Sequence, residues 1–252
     1  MHKKALDFLR FPSNRSVGNC RKDAKRLADQ TGRPLHQCLH DVAVANGVPD
    51  GWDAAMKLLV ERAMRRHGDL PAEMSQDDLI AISRRVPKLT QYGLGLRAEL
   101  ALIRPDFDYR AELERERELL LTTLDQCNLA LRYVRHLRPQ RRINANPAYS
   151  SYALKHAAER YLQRLSPDSA AYVSHGAFIC AALFAGFLFE RQSRDSLSVV
   201  FNVSDQSPIF EWERLLQSDS HATEARRIAL ERQLGIEPVG VAGPDNGTGV
   251  RH

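Results

Sequence analysis

Apolar and polar positions along this chain fall mostly into helical periods. Between Ser16 and Arg66, apolar residues recur at Val17, Cys20, Ala24, Leu27 and Ala28, the three-to-four spacing of one helix face. Thr31-Gly32 closes that helix, Pro34 opens a second where a missing N–H costs nothing, and Asn46-Gly47 ends it. A third helix opens near Asp50 and carries Trp52, Met56 and Leu59 on one side. The pattern predicts an N-terminal three-helix domain over residues 1–66, centred on Leu27, Leu39, Val42 and Trp52.

Residues 67–105 read as a helical connector. Ser75, followed by Gln76, Asp77 and Asp78, has the form of a helix cap with acids in the first turn, and Pro87 ends that helix. From 106 to 138 the residues Leu113, Leu120, Leu124, Cys127, Leu131 and Val134 mark one face of a long amphipathic helix. A stripe of that length needs a partner, either a second copy of the chain, another protein, or the chain's own last helices.

Residues 139–205 change character. Ser150 or Ser151 caps a helix beginning at Tyr152, with Leu154, Ala157, Ala158 and Tyr161 on its inner face. Ser174 caps another, "HGAFICAALFA", which has no basic side chain and stops at Gly186. Phe187, Leu188 and Phe189, a polar turn at Ser193-Arg194-Asp195, and alternating Leu197, Val199, Phe201 and Val203 predict a β-hairpin. Helix, turn, helix and hairpin follow the order of a winged helix-turn-helix. Two short helices over 206–235 and a Gly/Pro-rich, disordered tail over 236–252 complete a mainly α chain.

Composition sharpens this picture in three ways. The chain has 252 residues, 43% of them hydrophobic, enough for a substantial core. Cys20, Cys38, Cys127 and Cys180 lie far apart in no zinc-finger spacing, which reads as reduced thiols in the cytoplasm. "GAFICAALFAGFLF" is too short to span a bilayer, so no membrane association is expected. The net charge of +5 favours an anionic partner.

That charge is concentrated. Arg132, Arg135, Arg138, Arg141, Arg142, Lys155, Arg160 and Arg164 lie between 131 and 165 beside one acid, Glu159. A second cluster, Arg21, Lys22, Lys25 and Arg26, marks the outer face of the first helix, either as a phosphate-contacting surface or as an ordinary solvated face. Asn144, Tyr149, Ser150, His156, Ser174 and His175 add polar groups, and Arg191 and Arg194 sit at the hairpin. The free N–H groups of Gly176 and Ala177, at the start of the apolar helix, are candidates to meet a phosphate. No Gly-rich phosphate loop, GxSxG, HExxH or carboxylate cluster is present, and His36 and His40 lack a third metal ligand nearby; no catalytic residue, cofactor or metal is expected.

"RRINANPAYSSYALKHAAERY", "YVSHGAFICAALFAGF" and "VFNVS" resemble uncharacterised proteins of bacterial plasmids and integrative conjugative elements. "SVGNCRKDAKRLADQTGRPLHQCLHDVAVANG" resembles a short helical module at the front of assorted mobile-element proteins. The resemblance implies a mobile-element setting and carries no activity with it. The sequence therefore points to a non-catalytic accessory or regulatory protein binding nucleic acid, with duplex DNA as the expected ligand. A scaffold docking a protein through its long helix, and an RNA-binding protein, are the alternatives.

Overall fold

The computed structural model describes residues 6–97, 106–166, 171–193, 195–217 and 221–236. Ten α-helices and two small antiparallel hairpins account for the regular structure of these residues. The mainly α expectation holds.

The first three helices are α1 (Val17–Thr31), α2 (Leu35–Ala45) and α3 (Gly51–Gly68). Ser16 caps α1 by accepting the Asn19 N–H, and Gly32 ends it with the left-handed φ of 67° that glycine adopts without strain. Their shared core is Val17, Cys20, Ala43, Val48, Ala55 and Leu59; of the residues the sequence places there, half-buried Val42 and Trp52 pack against it, while Leu27 and Leu39 are half-buried outside it. Leu188 and Ile143, from far along the chain, pack into the same cluster and join this unit to the rest.

The connector contains more than a helix. α4 (Gln76–Arg85) opens on a capping box between Ser75 and Asp78, and a hairpin of β1 (Leu89–Thr90) and β2 (Gly93–Leu94) follows. Next, the predicted single long helix is two: α5 (Tyr109–Leu121) and α6 (Leu124–Val134). The break falls at Thr122-Thr123, whose hydroxyls donate to the carbonyls of Leu119 and Leu120 at 2.8 and 2.7 Å. Such back-bonding bends a helix, and here the tightened last turn ends it. The stripe is satisfied internally, since Leu120, Cys127, Leu131 and Val134 all lie in the chain's own core.

A short 3-10 turn (Pro147–Tyr149) leads into α7 (Ser151–Leu165), then α8 (His175–Phe184), β3 (Phe189–Arg191), β4 (Val199–Phe201), α9 (Pro208–Leu215) and α10 (His221–Leu234). All ten residues of α8 are buried. Its alanines let α4, α6, α7 and β2 approach closely, so it forms the central post of the larger core. The β3–β4 hairpin pairs Phe189 with Phe201, Glu190 with Val200 and Arg191 with Val199. Helix, helix and hairpin follow one another here, but α8, the second helix, is enclosed on every side and presents no face to a groove. The tail from 237 onward lies outside the described residues.

Candidate nucleic-acid interface

The N-terminal end of α8 was the most specific candidate, and its geometry removes it as an anion site. Ser174 does cap α8, but its hydroxyl accepts the Ala177 N–H, its own N–H goes to Gln126, and the Gly176 N–H donates to the Gln91 carbonyl at 2.9 Å. The two N–H groups that the sequence offers to a phosphate, those of Gly176 and Ala177, are therefore both engaged within the chain. A closed chain of hydrogen bonds also occupies His175. Since the Tyr92 carbonyl can only accept, Nδ1–H donates to it (2.9 Å) and Nε2 accepts from the Ser151 hydroxyl (2.6 Å). That hydroxyl oxygen in turn accepts the Val199 N–H at 2.9 Å. Burial, with the neighbouring cations Lys155 and His156 helping and the Tyr92 bond opposing, pushes the His175 pKa down to about 4. The serine and imidazole are placed like a nucleophile and its base, yet Ser151 is fully buried, so a substrate cannot reach it.

Two further predicted contacts are engaged by one carboxylate. Lys155 is buried, and its ammonium donates to Glu159 Oε1 at 2.8 Å beneath the Tyr172 ring; His156 Nδ1 meets Glu159 Oε2 at 2.9 Å. The Val173 N–H donates to the same Oε1 at 3.1 Å. Burial raises the Glu159 pKa, but these donors outweigh it and hold the carboxyl below its ordinary value.

Several arginines also have local work. Arg135 donates to the Pro71 carbonyl and Arg191 to the Leu94 carbonyl. On α1, Arg21 pairs with Asp7 beneath Trp52, and Arg26 pairs with Asp23, leaving Lys22 and Lys25 exposed. Asn144 donates to the Val203 carbonyl, Tyr149 stacks on Phe210 at 4.8 Å, and Ser150 is the cap of α7. Arg194 lies outside the described residues.

Lys22 and Lys25 on α1, Arg132 on α6, and Arg160 and Arg164 on α7 are exposed without an ion pair among the described residues, and so is a run of arginines on the segment linking α6 to the 3-10 turn. Arg138, Arg141 and Arg142 are exposed there, with no ion pair among the described residues. The loop is nonetheless fixed. Pro139 bridges to Val203, the Gln140 N–H donates to the Asn202 carbonyl at 2.7 Å, and the Asn144 N–H donates to the Phe201 carbonyl at 2.8 Å. Fully buried Asn202 completes the clamp: its amide nitrogen donates to the Gln140 carbonyl (2.7 Å) while its amide oxygen accepts the Leu188 N–H (2.6 Å). Asn202 falls on the opposite phase from Val199, Phe201 and Val203, so the alternating pattern gives no signal for this clamp. Arg141 also joins Lys57 and Arg65 of α3 along a groove of about 570 Å³ floored by Met56, Val60 and Met64, where Glu61 is the one carboxylate. A basic strip therefore runs from α3 across the loop.

A second cleft, of about 600 Å³, lies over α7 and α9 and mixes Arg160 and Arg214 with Asp205 and Glu213. Burial raises the Glu213 pKa against the pull of Arg160, and the Tyr133 hydroxyl donates to it at 3.2 Å. Its balanced charge makes it a poorer match to a polyanion than the loop. Among the described residues no three His, Cys, Asp or Glu side chains gather as a metal site, and no helix is long and apolar enough to cross a membrane. Comparison with protein-family models, curated proteins and solved structures returns no match.

Proposed function

We propose that this chain binds nucleic acid through its phosphate backbone, as a non-catalytic accessory or regulatory protein, with the anchored arginine loop as the contact surface. The observation that carries this reading is the exposure of Arg138, Arg141 and Arg142 on a loop fixed by Asn202, continuous with Lys57 and Arg65. Guanidinium groups without carboxylate partners are available for bidentate phosphate contacts, and a rigid base lowers the ordering cost of making them. Arginines on a loop, with α8 enclosed, suit phosphate contacts better than base edges, hence modest sequence preference. This reading fits the mobile-element setting that the sequence resemblance implies.

Fluorescence anisotropy with labelled duplex DNA, duplex RNA and single strands, titrated at several salt concentrations, tests it. The expected result is steeply salt-dependent duplex binding. Arg138→Ala/Arg141→Ala/Arg142→Ala should lower the slope of log K against log salt by about 2 to 3. Lack of binding to any of the three at low salt refutes the reading.

A further inference from the structure

Two hollows on the opposite side of α3 share a wall and a chemistry that the nucleic-acid reading does not use. The first, of about 210 Å³, is lined by apolar side chains of both cores, among them Leu59, Leu183, Phe187 and Phe189. Phe8 stacks on Phe189 there at 4.4 Å. The second, of about 390 Å³, is lined by Arg84, Asn14 and Asp78. Arg10, Arg85 and Leu183 line both, so the two are adjoining parts of one recess.

Its charges are one-sided. Arg10, Arg62 and Arg84 line it beside one carboxylate, Asp78, which caps α4 by accepting the N–H and hydroxyl of Ser75 at 3.1 and 2.6 Å. Arg10 uses one nitrogen on the Asn14 carbonyl. Exposed Arg62 and Arg84 have no ion pair among the described residues. An apolar hollow with arginines along its walls suits a ligand whose body is apolar and whose one end is an anion. The walls offer too few polar groups to satisfy the edges of a nucleobase, whose unpaired donors and acceptors would be penalised on burial. The apolar part, of about 210 Å³, is larger than the roughly 150 Å³ apolar cavity that takes up benzene, room for one aryl ring or a medium-length acyl chain.

We infer that this recess, formed by α3, α4 and α8, binds a small amphipathic anion, a medium-chain acyl or aryl carboxylate or phosphate, with its head held by the arginines Arg10, Arg62 and Arg84. Because α3 belongs to the N-terminal unit and α8 is the post of the larger core, an occupant fastens the two together. Its effect on the thermal transition is therefore stabilising.

Isothermal titration of the full chain with octanoate, octanamide and inorganic phosphate tests the inference. Octanoate is expected to bind and raise Tm, octanamide to bind at least about tenfold more weakly for want of its charge, and phosphate alone not to compete at equal concentration. Arg62→Ala/Arg84→Ala, both surface positions, should weaken octanoate about tenfold or more while leaving DNA affinity unchanged. Ala63→Phe, which fills the apolar part, should abolish binding. Equal binding of octanamide, competition by phosphate at equal concentration, octanoate affinity unchanged in the double arginine variant, or no heat with octanoate would each overturn it.

Discussion

Replacing Gly176 by alanine sets two effects of opposite sign against each other. In the second position of α8, alanine is the better helix former by up to about 1 kcal/mol, so helix propensity alone predicts stabilisation. The packing predicts the reverse. A Cβ there would lie 2.0 Å from the Thr90 carbonyl oxygen, 2.8 Å from its carbon and 2.9 Å from Gln91 Cα. All three obstacles are backbone, so no side chain can swing aside; the β1–β2 hairpin itself has to move. That movement stretches the bonds from Gly176 N–H to Gln91 and from His175 to Tyr92. Overpacking costs about 1 to 3 kcal/mol and a weakened buried hydrogen bond about 1. After the propensity gain, the net is about 2 kcal/mol of destabilisation, or a fall in Tm of about 4 to 8 °C for a chain of this length. Gly68→Ala is the control. It ends α3 in open space, and alanine there should stabilise by about 0.5 kcal/mol. Calorimetric melts of both variants beside the parent measure the difference. A Gly176→Ala protein as stable as the parent would show that the hairpin does not press on α8.

Two other outcomes follow from the same end of the molecule. Glu159→Gln leaves the buried Lys155 ammonium without its counter-charge and should cost about 3 kcal/mol, with Lys155→Met in the same chain recovering much of it, as denaturant titration would show. His175 and His136 both have pKa values near 4, each mainly through burial, so neither ring should titrate by NMR above about pH 5. Because these folded values lie below the ordinary 6.5, the stability they contribute is complete above 6.5 and is lost as pH falls from there toward 4. Exchange of either histidine for glutamine should flatten the decline in Tm across that window; an unchanged profile would assign the loss to other groups.

The helices and their caps are legible in the sequence because the information is local. Ser16, Ser75, Ser150 and Ser174 each sit where a side-chain oxygen can reach the first-turn N–H groups, and each does. The β3–β4 hairpin is equally local, announced by alternating Val199, Phe201 and Val203. The all-apolar run of α8 likewise identifies a core helix, since a helix hydrophobic all round has no face to offer water. Where the sequence misleads, two local signals compete or a distant partner intervenes. The leucine stripe from 113 to 134 keeps its period through Thr122-Thr123, where the backbone N–H and hydroxyl groups of both threonines turn back to Leu119 and Leu120 and the helix divides. The β1–β2 hairpin is too short to register as a pattern.

The site depends almost wholly on tertiary structure. One sequence segment supplies eight cations, but whether a cation faces solvent or another group is decided by what folds against it. Lys155 and His156 find Glu159 on their own helix, Arg135 and Arg191 find carbonyls far away in sequence, and the α8 turn is closed by a hairpin from residues 89–94. Arg138, Arg141 and Arg142 stay exposed because their loop is fastened by its backbone to Asn202, leaving the side chains outside. Charge density is a property of sequence; the direction in which charges point is a property of packing. The first suggests an anionic partner; the second decides which cations are left exposed, Arg138, Arg141 and Arg142 on their anchored loop among them.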